Sequence, residues 1–364
     1  MIGLHGCVAR LAWLQQDPPR AEEMRRQDQR EGFTMAIQIL GTGEHVPRRC
    51  VLSAELDARW NKPSGWTQRH AGINRRYYAD TQETTSAMAA LAAEAALSAA
   101  RLAPDQLDCI VSACSVMEQA IPCSAVLIQR QLGLGESGIP AFDINATCLS
   151  FLAALDTLSM AVAAGRYRHV LIVSSEIASA GLPENDAETS MLFGDGAGAV
   201  VIGASTSDGS SRILGTHFES YGVGAELCQV RSGGTRIRPR EDMQAFLDGA
   251  CFQMRGRQTY RMAAQRLPAF IARLFERAGV TLDRIDRIIP HQASAKALTH
   301  LEALLKLPPS HLVRTLAERG NQMAASIPVA LHHAVSSGLV KRGDTIALIG
   351  SGAGLSFGGA VLTY

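Results

Sequence analysis

The sequence has few aromatic residues and no marked excess of either charge, and both shortages narrow the classes of protein that it can encode. Aromatic side chains make up 5% of the 364 residues, and the formal net charge is +1. Without a basic excess no nucleic-acid partner is predicted, and an anionic partner would need a local basic patch. No apolar run approaches the roughly 20 residues of a membrane span, so no membrane association is predicted.

Metal and nucleotide motifs are lacking as well. The eight cysteines include no CxxC pair and no paired Cys/His spacing, so no metal site is predicted. In a chain of this length they indicate reduced thiols in a cytoplasmic protein rather than a disulfide framework. The run FGDGAGAVVIG at 193–203 lacks both the Lys-Ser/Thr of a P-loop and the G-x-G-x-x-G order before a helix, which argues against a nucleotide site.

The first 35 residues are predicted to form a polar, flexible extension. Residues 16–34 are charged and show no periodicity. The first fifteen residues contain a short apolar stretch but neither a basic n-region nor a small-residue cleavage site, so a secretory signal is not expected. The remainder is predicted to form two similar halves, one over 36–208 and one over 209–364, with no Pro- or Ser-rich linker between them.

Strand-like and helix-like segments alternate from residue 36 onward. Strands are predicted at 37–41, 109–114, 140–144, 169–175, 198–203, 212–220, 287–291, 345–350 and 357–364. Ala-rich helices are predicted at 84–102, 148–164, 258–279, 292–306 and 323–338. Short apolar strands that alternate with helices indicate a layered α/β fold with strands buried on both faces.

Three polar residues lie at predicted junctions with helices. Cys148 is expected in the first turn of a helix, where free N–H groups and the helix dipole favour a nucleophilic thiolate, although a buried structural cysteine is the common alternative. His291 ends a strand, and Asn321 lies between a turn and a helix, where a capping role is the alternative. The three side chains converge if their junctions share one face of the fold. Spacing along the chain leaves that convergence open.

The last glycine-rich run has two interpretations. GSGAGLSFGGAVLTY at 350–364 carries glycines that would let backbone N–H groups approach a ligand closely, as an oxyanion hole requires. Tight packing of strands is the alternative.

Five motifs, in order, resemble the β-ketoacyl-acyl-carrier-protein synthase III family of condensing enzymes. They are FDINATCLSF, FGDGAGAVVI, IIPHQAS, GNQMAAS and GSGAGLSFGGA, and the resemblance extends over roughly 36–364. It implies a thiolase-like five-layered αβαβα fold built from two similar halves, and a homodimer. It also implies a catalytic set of Cys148, His291 and Asn321, with an oxyanion hole formed by the backbone N–H groups of Cys148 and Ala353.

The reaction implied by this resemblance is a decarboxylative Claisen condensation in fatty acid or related secondary-metabolite biosynthesis. An acyl-CoA primer would be carried on Cys148 and joined to a malonyl-carrier protein, with His291 and Asn321 stabilising the enolate. Coenzyme A thioesters would be substrates, and no resident cofactor is expected. The alternatives are acyl transfer to a hydroxyl or amine, head-to-head condensation of two acyl-CoAs, and a non-catalytic synthase partner subunit.

The resemblance also implies binding residues for the coenzyme and the carrier protein. Trp66 matches a tryptophan that stacks on adenine, and His70 replaces the family's arginine beside Arg69. Ser294 replaces an asparagine associated with substrate positioning. A basic patch for an acidic carrier is implied at Arg257, Arg261 and Lys296. For each of these cations a solvated helix charge is the alternative.

Two apolar positions are implied to shape the acyl pocket. Ile121, before Pro122, falls where the family inserts a side chain into the partner subunit, and an ordinary core position is the alternative. Leu149 follows the nucleophile, as in the head-to-head branch. That branch also uses a glutamate immediately before the proline, whereas here Glu118 lies three residues before Ile121. The missing base favours malonyl chemistry.

Overall fold

The computed structural model describes residues 34–205 and 210–364. The predicted extension over 1–35 lies almost entirely outside the described residues, as does the predicted boundary between the halves at 208. The strands are β1 Ile37–His45, β2 Arg49–Leu52, β3 Arg75–Tyr78, β4 Cys109–Ser112, β5 Ala141–Asp143, β6 His169–Glu176, β7 Gly196–Ala204, β8 Arg212–Ser220, β9 Cys228–Gln229, β10 Gln253–Met254, β11 Arg287–Pro290, β12 Thr345–Gly352 and β13 Ser356–Thr363. The helices are α1 Ser53–Arg59, α2 Trp66–Ala71, α3 Thr85–Ala100, α4 Ser124–Gln131, α5 Ser150–Ala163, α6 Ala187–Ser190, α7 Met243–Ala250, α8 Gly256–Ala278, α9 Ala295–Leu305, α10 Leu316–Arg319 and α11 Ser326–Ser336.

Two sheets repeat one topology. The first has the order β1-β7-β6-β4-β5, and the second has the order β8-β13-β12-β11. In both, the first three strands pair antiparallel, and the next pair, β6 with β4 or β12 with β11, is parallel. Because β4 corresponds to β11 in this scheme, the ends of these two strands lie at equivalent places in the two sheets.

Helices α5 and α11 lie between the two sheets. Their apolar side chains, such as Leu155 and Leu331, pack in one cluster with Ile172 from the first sheet and Leu348 from the second. Burial of each such side chain contributes about 1.5–3 kcal/mol. Helices α3 and α4 cover the outer face of the first sheet, and α8 and α9 cover that of the second. The result is the five-layered αβαβα arrangement, which confirms the predicted fold.

The predicted strands are all present, with ends that move by a few residues. The largest extension is in β1, which reaches His45 because it pairs with β7 along its whole length. Six helices, α1, α2, α4, α6, α7 and α10, and the short pairs β2–β3 and β9–β10 were not predicted from the sequence. In the described ranges, no helix has both the length and the apolar character that a membrane crossing needs.

Candidate active site

Cys148 lies in the loop between β5 and α5. Its predicted position in the first turn of the helix is wrong, because α5 begins at Ser150 with Leu149 as the N-cap residue. Thr147 interrupts the helical path, since its φ of +54° lies in the left-handed region. The turn is held by the Ser150 hydroxyl, which donates to the Thr147 carbonyl at 2.6 Å. Cys148 therefore stands just outside the helix and remains partly exposed.

The surroundings of Cys148 do not favour the predicted thiolate. Burial raises the pKa of its thiol to about 12, and the charge of Glu176 and the thiol of Cys228 add to this increase. The backbone N–H groups of Ala353 and of Cys148 itself act in the opposite direction but do not offset it. Desolvation thus outweighs the helix terminus, and the free protein holds a neutral thiol at neutral pH.

The turn between β12 and β13 brings Ala353 against the Cys148 loop. A Cβ at Gly352 would lie 2.8 Å from the Thr147 Oγ1, and one at Gly350 would lie 2.7 Å from the Leu149 Cδ2, so the absence of a side chain at both positions lets β12 approach the Cys148 loop closely. The N–H groups of Ala353 and Cys148 both interact with the thiol. Two backbone donors that act on one thiol are what the predicted oxyanion hole would require.

His291 follows β11 and is 6% exposed. The backbone N–H of His291 donates to the Ile349 carbonyl at 2.8 Å, which fixes the residue beside β12. A Cβ at Gly350 would lie 3.5 Å from the His291 Cβ and in contact with Leu149, so His291 and Leu149, the residue after Cys148, flank the same glycine. Burial lowers the pKa of His291 to about 4, and the imidazole is therefore neutral at neutral pH.

Asn321 approaches His291 from the turn before α11. Its Nδ2 donates to the Ala293 carbonyl at 3.3 Å, two residues after His291, and its Oδ1 accepts the Met323 N–H at 2.9 Å. The alternative of a capping role is wrong, because the residue before α11 is Ala325 and the bond from the Met323 N–H to Asn321 closes a local turn two residues long. The structure brings His291 and Asn321 together at one end of the two sheets, next to the Cys148 loop.

Two buried glutamines that sequence analysis did not single out hold these loops. Gln292 is fully buried. Its side chain donates to the carbonyls of Pro290 and Val313 and accepts the backbone N–H groups of Thr315 and Leu316. The Gln322 Nε2 donates to the Asp195 carbonyl at 3.0 Å. The FGDG run thus supports the Asn321 loop. The sequence did offer a clue to both glutamines, because each one directly follows a predicted site residue.

Glu176, at the end of β6, was also missed. It is 1% exposed, and burial raises its pKa to about 8, against the effect of N–H groups on Ser115, Val116 and Ala324. Among the described residues it makes no ion pair. The sequence does contain a clue to Glu176, because this acidic residue ends the strand HVLIVSSE directly after a run of apolar and small residues. It is one of the charged groups that act on Cys148.

Trp66, the predicted adenine contact, begins α2 and is half-buried. The rings of Trp66 and His70 are stacked with centroids 4.6 Å apart, and the Lys62 Nζ lies 5.1 Å from the Trp66 ring centroid. Arg69 is exposed, and its Nη1 donates to the Ser64 carbonyl. An aromatic face with cations beside it suits a base with attached phosphates.

The predicted carrier-binding cations are exposed. Arg257 and Arg261 line a surface groove of about 500 Å³ on α8 together with Tyr260. Lys296 lies in the first turn of α9, where the helix dipole opposes a cation, and Ser294 caps that helix by accepting the Ala297 N–H at 3.2 Å. In the ranges 34–205 and 210–364, none of the three cations forms an ion pair.

The loop after β4 contains the two residues that distinguish the alternative reactions. Ile121 is 85% exposed, so the alternative of an ordinary core position is wrong. The Glu118 carboxylate accepts the Ser86 N–H at 2.6 Å at the start of α3, where the helix dipole favours an anion. Glu118 is therefore held in its own subunit by a helix terminus.

The fold and the site together define a condensing enzyme of the acyltransferase type. The family profile described as 3-Oxoacyl-[acyl-carrier-protein (ACP)] synthase III matches residues 142–222, and the profile of its C-terminal part matches residues 275–364. The "Beta-ketoacyl-[acyl-carrier-protein] synthase III 3" of Streptomyces coelicolor is 36% identical over 332 residues, 91% of this chain and 98% of that protein. The chain belongs to the β-ketoacyl-acyl-carrier-protein synthase III family.

Solved structures agree with this assignment. The 3-oxoacyl-[acyl-carrier-protein] synthase III of Aquifex aeolicus has a TM-score of 0.81 at 33% identity, covering 90% of this chain and all of that one. The priming β-ketosynthase of the R1128 polyketide biosynthetic pathway has a TM-score of 0.82 at 30% identity, covering 92% of this chain and 98% of that one. The chain is thus similar both to a 3-oxoacyl-[acyl-carrier-protein] synthase III and to a priming ketosynthase of polyketide biosynthesis.

Proposed function

We propose that the enzyme condenses an acyl-CoA primer with a malonyl-acyl carrier protein through an acyl group held on Cys148. The observation that carries the proposal is that two backbone N–H donors, on Cys148 and Ala353, act on one partly exposed thiol, in a loop whose Leu149 flanks Gly350 together with the neutral His291. Such an arrangement stabilises the oxyanion of a thioester under attack. The substrates carry their own activated thioesters, so no resident cofactor is needed.

The first half-reaction moves the acyl group. The Cys148 sulfur attacks the carbonyl carbon of the acyl-CoA, and the carbonyl oxygen becomes an oxyanion between the two N–H groups. When it collapses, the bond to the coenzyme sulfur breaks, and the thiol proton of Cys148 ends on free coenzyme A. Trp66 and Arg69 are proposed to hold the coenzyme during this step.

The second half-reaction forms the carbon–carbon bond. The malonyl thioester loses CO₂, and the electron pair of the broken bond gives an enolate whose oxygen needs hydrogen-bond donors. His291 and Asn321 are proposed to donate to it, and a neutral imidazole can donate without carrying charge. The enolate carbon attacks the acyl-Cys148 carbonyl, and the sulfur leaves and takes up a proton.

Release of CO₂ distinguishes this reaction from its alternatives. With an accepted primer and malonyl-carrier protein labelled at the free carboxylate, we expect one labelled CO₂ per product and a β-ketoacyl product on the carrier. Acyl transfer to a hydroxyl or amine would leave the label in the malonyl group. Labelled product with an intact carboxylate would therefore overturn the proposal.

Head-to-head condensation of two acyl-CoAs is disfavoured by a specific contact. That reaction has no decarboxylation to generate its nucleophile and needs a carboxylate base near the donor carbon. Glu118 is the acid that precedes Ile121, and its carboxylate accepts the Ser86 N–H at 2.6 Å. A base held at a helix terminus in its own subunit is not free to act in a neighbouring active site.

The carrier protein is proposed to dock beside α8 and α9. Arg257, Arg261 and Lys296 are exposed and have no ion-pair partner among the described residues, so they remain available to an acidic surface. Ser294 keeps a hydroxyl hydrogen free to donate while its oxygen caps α9. The seven described cysteines are all free, which supports a cytoplasmic location.

We propose that two copies of the chain form a homodimer by pairing their β5 strands, at the edge of the first sheet. β5 is an edge strand, and an unpaired edge is a template for another strand. The exposed Phe142 on β5 and the exposed Val116, Met117 and Ile121 in the loop after β4 give this edge an apolar surface. Pairing two copies edge to edge would cover that surface and direct Ile121 towards the partner's acyl pocket.

Phe142→Asp is expected to convert a dimer into a monomer, because it places a charge at the centre of the paired edge. Light scattering coupled to size-exclusion chromatography measures the mass of the particle. Leu339→Asp is the matched control, since Leu339 is 40% exposed, close to the 38% of Phe142, and lies after α11. A wild-type monomer, or a Phe142→Asp variant that stays dimeric, would contradict the proposed interface.

A further inference from the structure

Glu176 is a fully buried carboxyl group that the proposed mechanism does not use. Its Oε1 accepts a short hydrogen bond from the Ser115 N–H in the loop after β4. The N–H groups of Val116 and Ala324 also act on it, and Ala324 lies in the turn that follows Asn321. Glu176 thus contacts both halves of the chain at the level of the active site.

Ser115 connects Glu176 to the nucleophile loop. The Ser115 carbonyl accepts a hydrogen bond from the Asn145 Nδ2 at 3.0 Å. The Oδ1 atom of the same Asn145 side chain accepts the backbone N–H of Thr147 at 3.0 Å, and Thr147 is the residue directly before Cys148. The path Glu176–Ser115–Asn145–Thr147 therefore reaches the residue whose left-handed backbone places Cys148 outside α5.

Ser115 also connects Glu176 to the second half. The Ser115 Oγ accepts the Ala324 N–H at 3.2 Å. One residue earlier, the Met323 N–H donates to the Asn321 Oδ1 at 2.9 Å. The same serine is thereby tied to the turn that orients Asn321. A short hydrogen-bond network that starts at the Glu176 carboxyl group therefore holds both the Cys148 loop and the Asn321 turn.

We propose that Glu176 is a positioning residue that sets the Cys148 loop against the Asn321 turn through Ser115. The inference rests on the proposed function, in which Cys148 and Asn321 act in successive half-reactions. Glu176 does not touch the reacting atoms in this account. It acts through backbone groups, and through its charge when it is ionised.

The charge matters because the groups facing Glu176 are themselves acids. The thiols of Cys114, after β4, and Cys148, before α5, both have their pKa raised by burial and by Glu176. Asp195 precedes Gly196, which pairs with Glu176 across the sheet, and burial raises its pKa to about 6. No ion pair with a lysine or arginine compensates Glu176 in the described part of the chain.

The sign of the pH effect follows from these neighbours. Burial raises the pKa of Glu176 to about 8, so it is mostly protonated at pH 7 and ionised at pH 9.5. Ionisation puts a negative charge near Cys148 and makes its thiolate harder to form. The rate of reaction of the Cys148 thiol should therefore increase with pH as thiolate forms. The increase should slow near pH 8, where Glu176 ionises, and should then resume at rates lower than a neutral Glu176 would give.

Glu176→Gln tests this directly, because glutamine keeps an oxygen acceptor for the Ser115 N–H but cannot ionise. Alkylation of Cys148 by iodoacetamide, followed by peptide mass spectrometry, reports thiolate formation without any acyl donor. We expect equal rates for wild type and Glu176→Gln at pH 7, and about tenfold faster alkylation of the variant at pH 9.5, the effect of about one unit in the thiol pKa. Asp108→Asn, a matched change in a carboxylate that accepts backbone N–H groups at the opposite end of the same sheet, should follow wild type.

The positioning role has its own readout. Glu176→Ala removes the acceptor and should lower kcat for condensation about tenfold or more, whereas Glu176→Gln should keep most of kcat at pH 7. Superimposable alkylation profiles for wild type and Glu176→Gln would overturn the inference, and so would a kcat for Glu176→Gln as low as that of Glu176→Ala. The alkylation outcome needs no primer, and the kcat outcome can be measured with any primer that the enzyme accepts. Failure of wild type to form an acyl-enzyme would instead count against the proposed function.

Discussion

Replacing Cys148 by alanine is expected to lower the rate of condensation by about 10⁴-fold, because the covalent intermediate can no longer form. The same variant should gain no mass from an acyl-CoA that acylates the wild type. Its fold should persist, since the change removes a single sulfur atom from a loop residue that is partly accessible to solvent. Steady-state formation of the β-ketoacyl product measures the loss.

Cys228→Ala is the matched control for this prediction. Cys228 is the thiol whose charge acts on Cys148, so it is the alternative acyl acceptor to test. The control variant should keep its acyl-enzyme and most of its activity. If Cys228→Ala lost the acyl group while Cys148→Ala kept it, the assignment of the nucleophile would be reversed.

Replacing His291 or Asn321 by alanine is expected to separate the two half-reactions. Each removes one donor to the enolate oxygen, and the loss of a single preorganised donor costs about 10²–10³-fold. Acylation of Cys148 depends instead on the N–H groups of Cys148 and Ala353, so it should change far less. Single-turnover measurements of coenzyme A release and of CO₂ release follow the two steps independently.

His333→Ala, at an exposed position near the end of α11, is the control for these variants and should match wild type in both steps. The contrary result is equally clear. If His291→Ala lost acylation as severely as condensation, His291 would be the base that removes the Cys148 proton. With burial lowering its pKa to about 4, it is a weak base, and this outcome would contradict the account.

The layers of the fold could be predicted from the sequence because buried strands leave a strong pattern. HVLIVSS and GAVVIG are continuous apolar and small runs, and they form the β6–β7 pair at the centre of the first sheet. The pairs β2–β3 and β9–β10 could not be predicted in this way, since they are short and only partly buried. Their pairing depends on tertiary neighbours and not on a local period.

The site residues could be named from their motifs, but their environment could not. The start of α5 was misplaced because nothing in the letters NATCLS indicates the left-handed backbone of Thr147. The environment of the Cys148 thiol could not be predicted for a related reason. A helix terminus can be read from sequence, whereas desolvation and the charge of Glu176, 28 residues further along the chain, appear only once the loops meet.

The contribution of Gln292 and Gln322 illustrates the same limit. Each follows a site residue directly, so the motifs HQA and GNQ contain them, yet their roles depend on partners far along the chain. The Gln292 side chain binds backbone groups at Thr315 and Leu316, and the Gln322 side chain binds the Asp195 carbonyl. These contacts explain physically why the motifs extend beyond the reacting side chains.

The most direct test of the central claim is intact-protein mass spectrometry of wild type and Cys148→Ala after incubation with a panel of acyl-CoAs, followed by malonyl-carrier protein. The account predicts a mass gain equal to one acyl group on wild type only, and its discharge by malonyl-carrier protein into a chain-extended product. An acyl group that malonyl-carrier protein leaves untouched, or equal acylation of Cys148→Ala, would contradict it.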